Sequence, residues 1–173
     1  KQPGIPGNVT ATGIWSEGRI TLTNGELSSP GLLVSAAGEL LNREGKFQHL
    51  DLEIRKADLA QIRKQFPDPT FTMVGSVLGH LKIKPTVDAI TATGSLRLSN
   101  IGLAMSKPNS IGCSGMKGVV EIMGNKMRID ELTGALTGIV NAPLKLSGKI
   151  DSIDSLDQLS GDVLVNTGKG KIR

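Results

Sequence analysis

The chain has 173 residues, enough for one domain with a continuous buried surface, and a formal charge of +4 whose basic residues are scattered singly and not run together. Its 22 glycines and 2% aromatic content are unlike a compact enzyme core, and Trp15, Phe47, Phe66 and Phe71 are too dispersed to stack bases, which argues against nucleic-acid binding. The single cysteine, Cys113, excludes an internal disulfide and a cysteine-based zinc site, and no run of about 18 apolar residues is present to cross a bilayer as a helix.

Along the chain the dominant signal is a glycine followed at the second and fourth positions by aliphatic residues with mostly polar residues between. This period of two marks a strand with one apolar and one wet face. The first copy is at Gly18 (Ile20, Leu22), and strands are predicted over 18–23, 26–28, 32–41 and 46–55, with turn signals at Asn24-Gly25 and from Asn42 to Gly45. From Lys56 to Phe66 the period changes. Leu59, Ile62 and Phe66 recur at helical spacing, Asp58 is placed to cap the N-terminus, and Pro67 and Pro69 stop the helix, so a short helix is predicted over about 56–66.

Beyond it, strands are predicted over 75–84, 90–99, 101–106, 111–123, 126–132, 134–141, 143–150 and 161–166. They carry further copies of the unit at Gly79 (Leu81, Ile83), Gly94 (Leu96, Leu98), Gly118 (Val120, Ile122) and Gly161 (Val163, Val165). Turns are predicted at Gly124-Asn125 and from Asn141 to Pro143, and a second short helix over about 152–159, where Ile153, Leu156 and Leu159 recur every third residue. Gly168 to Lys171 reads as a flexible end or a turn into a further strand.

The expected fold is therefore all-β, a mainly antiparallel strand meander over 1–173 with one or two short helices. Two short helices cannot cover the apolar face of about ten strands. The sheet must close as a barrel, pack as a two-sheet sandwich, or curl into an open groove that receives something else, and periodicity alone does not choose among these.

No constellation suggests catalysis, a metal or a cofactor. His49 and His80 each sit between aliphatic residues without a second ligand at metal spacing. Gly112-Cys-Ser-Gly lacks the spacing of a nucleophile elbow, no glycine-rich stretch ends in the Lys-Ser/Thr of a phosphate loop, and Asp51, Glu53, Asp151, Asp154 and Asp157 read as solvated carboxylates.

The repeated glycine units, the helical interruption Ala57-Asp-Leu-Ala-Gln-Ile after an alternating strand, and the closing Leu156-Asp-Gln-Leu-Ser-Gly-Asp-Val-Leu-Val resemble the AsmA family and its TamB relatives. The likeness covers about two thirds of the chain. It is strongest from Phe71 onward, in Gly79-His-Leu-Lys-Ile, Ala89-Ile-Thr-Ala-Thr-Gly-Ser-Leu-Arg-Leu, Gly118-Val-Val-Glu-Ile and Leu132-Thr-Gly-Ala-Leu. The resemblance implies a groove-like or taco-shaped sheet with a hydrophobic inner face, belonging to a longer periplasmic protein of Gram-negative bacteria anchored in the inner membrane outside this segment. It implies non-enzymatic phospholipid movement toward the outer membrane, support of outer-membrane integrity and, for TamB-like members, outer-membrane protein partners. No binding residue is transferred from the family.

With that expectation, the candidate groove-lining positions are Leu81, Ile83, Leu96, Leu98, Val120, Ile122, Leu144 and Leu146. His80, Lys82, Ser95, Arg97, Lys145 and Ser147 alternate with them and are expected to face water. A second reading is an assembly module that pairs with outer-membrane proteins through a free sheet edge.

Overall fold

The computed structural model of the chain describes residues 7–65, 71–86, 89–105, 112–138, 140–152, 160–168 and 171–172. Its strands are β1 (Asn8–Ser16), β2 (Arg19–Ser29), β3 (Leu32–Leu41), β4 (Leu50–Ala57), β5 (Phe71–Pro85), β6 (Ile90–Met105), β7 (Gly112–Met123), β8 (Lys126–Thr137), β9 (Val140–Ser152), β10 (Ser160–Thr167) and β11 (Lys171–Ile172), with one helix, α1 (Leu59–Arg63). β1 to β10 pair in sequence order, each antiparallel to the next, and β11 returns to the start of β9, Lys171 opposite Asn141. The fold is thus an all-β antiparallel meander in one unclosed sheet.

Among the described residues no second layer covers it. Among the described residues every strand packs chiefly on its sequence neighbours, and the only other contacts of any extent are α1 on β5 and β11 on β9. The two-sheet alternative does not form. Even so, Met116, Val120, Leu132 and Leu144 are only 4–7% exposed and make one cluster. Side chains on one face of a flat, single-layered sheet would stay open to water, so this burial requires a concave face on which neighbouring side chains converge.

Bulges explain how long strands keep one apolar face although the apolar parity of the sequence changes along them. In β6, Leu98 lies opposite Gly118 and Ile101 opposite Met116, so two residues, Ser99 and Asn100, face the single Lys117 of β7. Asn100 takes a φ of 52° to do so. The extra residue returns Ile101 and Leu103 to the face that Leu96 and Leu98 already occupy. The same two-against-one count occurs in β2, where Thr23 and Asn24 face Ala37 of β3, and in β8, where Asp130 and Glu131 face Ser147 of β9.

The bulges of β2 and β6 fall where the sequence pattern reads as breaks between strands. The pairs predicted as 18–23 and 26–28 and as 90–99 and 101–106 are instead the single strands β2 and β6; of the predicted 126–132 and 134–141, residues up to 137 form the single strand β8, and 140–141 belong to β9. Asn24-Gly25 is not a turn but lies inside β2, with Asn24 in the bulge and Gly25 paired with Ala36, and the predicted turn from Asn141 to Pro143 lies inside β9. Pro143 is tolerated there because its carbonyl accepts from the Gly168 N–H at 3.3 Å, which turns its missing N–H toward a side where the β10 ladder has ended. β1 carries no predicted strand, and β4 starts at Leu50 and not at 46. The turns at Asn42 to Gly45 and Gly124-Asn125 form as expected, the first with Asn42 Oδ1 accepting from the backbone of Glu44 and Lys46.

The helix is shorter than predicted, Leu59–Arg63, and begins at the expected cap: Asp58 Oδ1 accepts from the Gln61 N–H at 3.1 Å. It sits at one rim of the sheet. The Asp58 N–H donates to Gly31 O at 2.6 Å and Gln65 Nε2 to Pro30 O at 2.6 Å, tying the β2–β3 turn to the two ends of α1. The second predicted helix lies outside the described residues apart from Ser152, which ends β9.

Candidate apolar groove

Register decides which side chains share a face, since residues directly opposite in neighbouring strands point the same way. Leu81 of β5 stands opposite Gly94, which stands opposite Ile122; Ile83 stands opposite Ala92. Leu96 lies between Gly79 and Val120, and Leu98 between Val77 and Gly118. In β9, Leu144 faces Gly134 and Leu146 faces Leu132, itself opposite Gly118. All eight positions expected to line a groove therefore lie on one face, the face of the buried cluster. The register sets His80 opposite Ser95, Lys82 opposite Thr93 and Arg97 opposite Leu78 on the other face.

The eight are not equivalent. Val120 and Leu144 are 6% and 5% exposed and form the packed floor, whereas Leu81, Ile83, Leu96, Leu98, Ile122 and Leu146 are half-buried and still accessible. Glycines opposite leucines level this floor. A Cβ on Gly79 would come within 2.8 Å of Leu96 Cδ2, and one on Gly118 within 2.7 Å of Leu132 Cδ2, so each leucine lies across the space the glycine leaves. The result is a low aliphatic surface with little relief.

Toward the α1 rim the same face continues through Met73, Leu103, Cys113, Leu136 and Ala142, which are opposite one another in turn, and ends at the Phe71–Met105 pair. Here it opens into a hollow of about 530 Å³ lined by Phe71, Leu103, Met105, Cys113 and Leu136 with Ala104 and Gly112, and no charged side chain. The sequence reading did not single these residues out. The alternation Ile101, Leu103, Met105 carried the signal, but the parity change at Asn100 hid that it continues the run of Leu96 and Leu98.

The opposite face is charged and paired. Asp51 lies 3.6 Å from His49, 3.9 Å from His80 and 3.5 Å from Lys82, so the strand ladder gathers both histidines at one carboxylate although the sequence presents them separately. Glu53 accepts from Arg55 Nε at 2.9 Å and from Ser35 Oγ at 3.2 Å. The Arg55 hydrogen bond, then that of Ser35, holds the Glu53 carboxyl below the usual range. These pairs are open to solvent on at least one side, which screens them, so they solvate the face more than they stabilise it. Among the described residues no three potential metal ligands come together, and no helix is long and apolar enough to cross a membrane.

Comparison of the chain with protein-family models, with curated proteins and with solved structures finds no match to any of them.

Proposed function

We propose that the chain is a segment of a periplasmic hydrophobic β-groove that shields phospholipid acyl chains during transport from the inner to the outer membrane, and so supports outer-membrane integrity. The observation that carries this reading is the single sheet whose continuous aliphatic face has no covering layer among the described residues. An uncovered face of this kind is a binding surface by default, because exposed apolar patches of such extent mark interaction sites. The resemblance to AsmA and TamB proteins supplies the compartment, the inner-membrane anchor outside this segment and the lipid class.

The mechanism is desolvation without catalysis. Each acyl methylene exposed to water costs about 0.8 kcal/mol, so a chain of some fifteen costs on the order of 12 kcal/mol in transit. A smooth aliphatic floor removes most of that cost without fixing the chain in one register, which suits sliding. Ten strands spaced about 4.8 Å apart give a trough on the order of 45–50 Å long, one length of a longer path.

The test is lipid extraction and native mass spectrometry of the purified protein, with two adjacent substitutions compared. Leu96→Asp puts a carboxylate on the groove face and is expected to abolish phospholipid co-purification, whereas Arg97→Asp, one residue along on the opposite face, leaves it within about twofold of wild type. Equal lipid content in the two variants would contradict the groove assignment.

A second reading, an assembly module that adds a strand to an outer-membrane protein, is favoured by one feature. Among the described residues β1 pairs only with β2 and is an edge, exposed along all nine residues, with Val9 at 75% and Trp15 at 82%, and it carries none of the charges or prolines that usually blunt an edge. Lipid-free protein that protects β1 from hydrogen exchange only when a partner strand is added would support this reading instead.

A further inference from the structure

Charge is divided unevenly between the two halves of the sheet. β1 to β4 carry three basic and four acidic side chains, whereas β5 to β10 carry eight basic and five acidic ones. The register puts these eight cations on the face opposite the groove, Arg97 level with Leu78 and Val119, and Lys117 with Thr133. Pairing on that face is incomplete. Glu121 and Asp130 both engage Arg128, at 2.9 and 3.0 Å, Glu131 engages Lys145 at 3.6 Å, Asp151 engages Lys126 at 4.0 Å, and Asp162 lies opposite Lys149 in the ladder. Lys82 is 3.5 Å from Asp51 of β4. Every acid of these strands is thereby taken up, and Lys84, Arg97 and Lys117, all exposed, have no acidic partner among the described residues. Resting on the groove reading for its partner, we propose that this face docks on an anionic phospholipid surface through β5, β6 and β7.

The spacing of the free cations selects the partner. Lys84 is level with Thr91 of β6, and Lys117 with the bulge at Ser99 and Asn100. At about 3.3 Å per residue the three therefore spread over roughly 25 Å of strand, too far apart to converge on one small anion. A plane of acidic headgroups meets all of them at once. The face also carries no aromatic side chain in these strands: Phe71, the one aromatic residue of β5 to β10, lies on the groove face opposite Met105. Nothing there stacks on a nucleic-acid base or inserts among acyl chains, so the contact is peripheral, electrostatic and reversed by salt.

The experiment is co-sedimentation of the whole chain with phosphatidylcholine vesicles that either contain or lack about 30% phosphatidylglycerol, at low salt and at about 0.5 M salt. The chain is expected to bind the anionic vesicles at least about tenfold more tightly than the neutral ones, and to release them at high salt. Each cation near such a surface is worth about fivefold, so the triple variant Lys84→Gln, Arg97→Gln, Lys117→Gln loses at least about tenfold while its phospholipid co-purification stays within about twofold of wild type, which also reports that it is folded. Arg19→Gln, Arg43→Gln, Lys46→Gln removes the same charge from the other half of the sheet and is expected to change vesicle binding by less than about twofold. Leu96→Asp, which empties the groove, leaves vesicle binding intact. Equal binding to both vesicles, equal losses in the two triple variants, or binding lost in Leu96→Asp would overturn the docking face and leave the groove standing. Retention on heparin without vesicle binding would overturn it in favour of a soluble polyanion. Vesicle binding as expected with no co-purified phospholipid would instead count against the groove reading and leave the docking face in place.

Discussion

Gly118→Ala is expected to cost about 2–5 kcal/mol, a large fraction of the stability of a domain this size. Gly118 lies inside β7 at a φ of 154°, which side chains rarely adopt, and a Cβ there would stand 2.2 Å from the Glu131 carbonyl oxygen and 2.7 Å from Leu132 Cδ2. The carbonyl belongs to the neighbouring strand and cannot move aside without parting the β7–β8 ladder. Gly94 in β6 is held in the same way, at 152° and 2.0 Å from His80 O. The control is Gly124→Ala in the β7–β8 turn, where φ is 71° and nothing lies within 4 Å of the added carbon; it loses about 1–2 kcal/mol from backbone strain alone. Urea unfolding of both variants measures the difference. Equal losses would mean that Gly118 does not hold neighbouring strands at close approach.

Val120→Asp is expected to have the largest effect of any single substitution on the groove face. The valine is 6% exposed within the Met116, Leu132 and Leu144 cluster, so the new carboxylate would be buried with no partner, at a cost of several kcal/mol. Val119→Asp, one residue back, falls on the wet face opposite Arg97 and is expected to change stability by less than about 1 kcal/mol. Denaturation midpoints that moved alike for the two variants would contradict the one-sided core.

The all-β meander and the shared face of the eight aliphatic positions were legible because both follow from alternation, which is local. Leu81 and Ile83, or Leu96 and Leu98, need no distant information to point the same way. What was not legible depended on pairing. Asn24-Gly25 has the composition of a hairpin turn, yet Gly25 is locked opposite both Ala11 and Ala36, and the ladder on each side outweighs the local preference. Ser99-Asn100 looks like a break because the apolar parity changes there, and only the register of the neighbouring strands shows that a bulge restores it.

The same limit applied to the sites. Phe71, Leu103, Cys113 and Leu136 come from four strands, and their convergence into one hollow is a matter of register. β1 lacked a signal altogether, because Asn8–Ser16 alternates weakly and is exposed on both faces.

The measurement that tests the central claim most directly is photo-crosslinking to phospholipid with a photoreactive side chain placed in turn at positions 80, 81, 82 and 83 of β5. The groove account predicts alternation, with lipid captured from 81 and 83 and not from 80 and 82, since only Leu81 and Ile83 face the aliphatic floor. Capture from none of the four, or from all four alike, would contradict it.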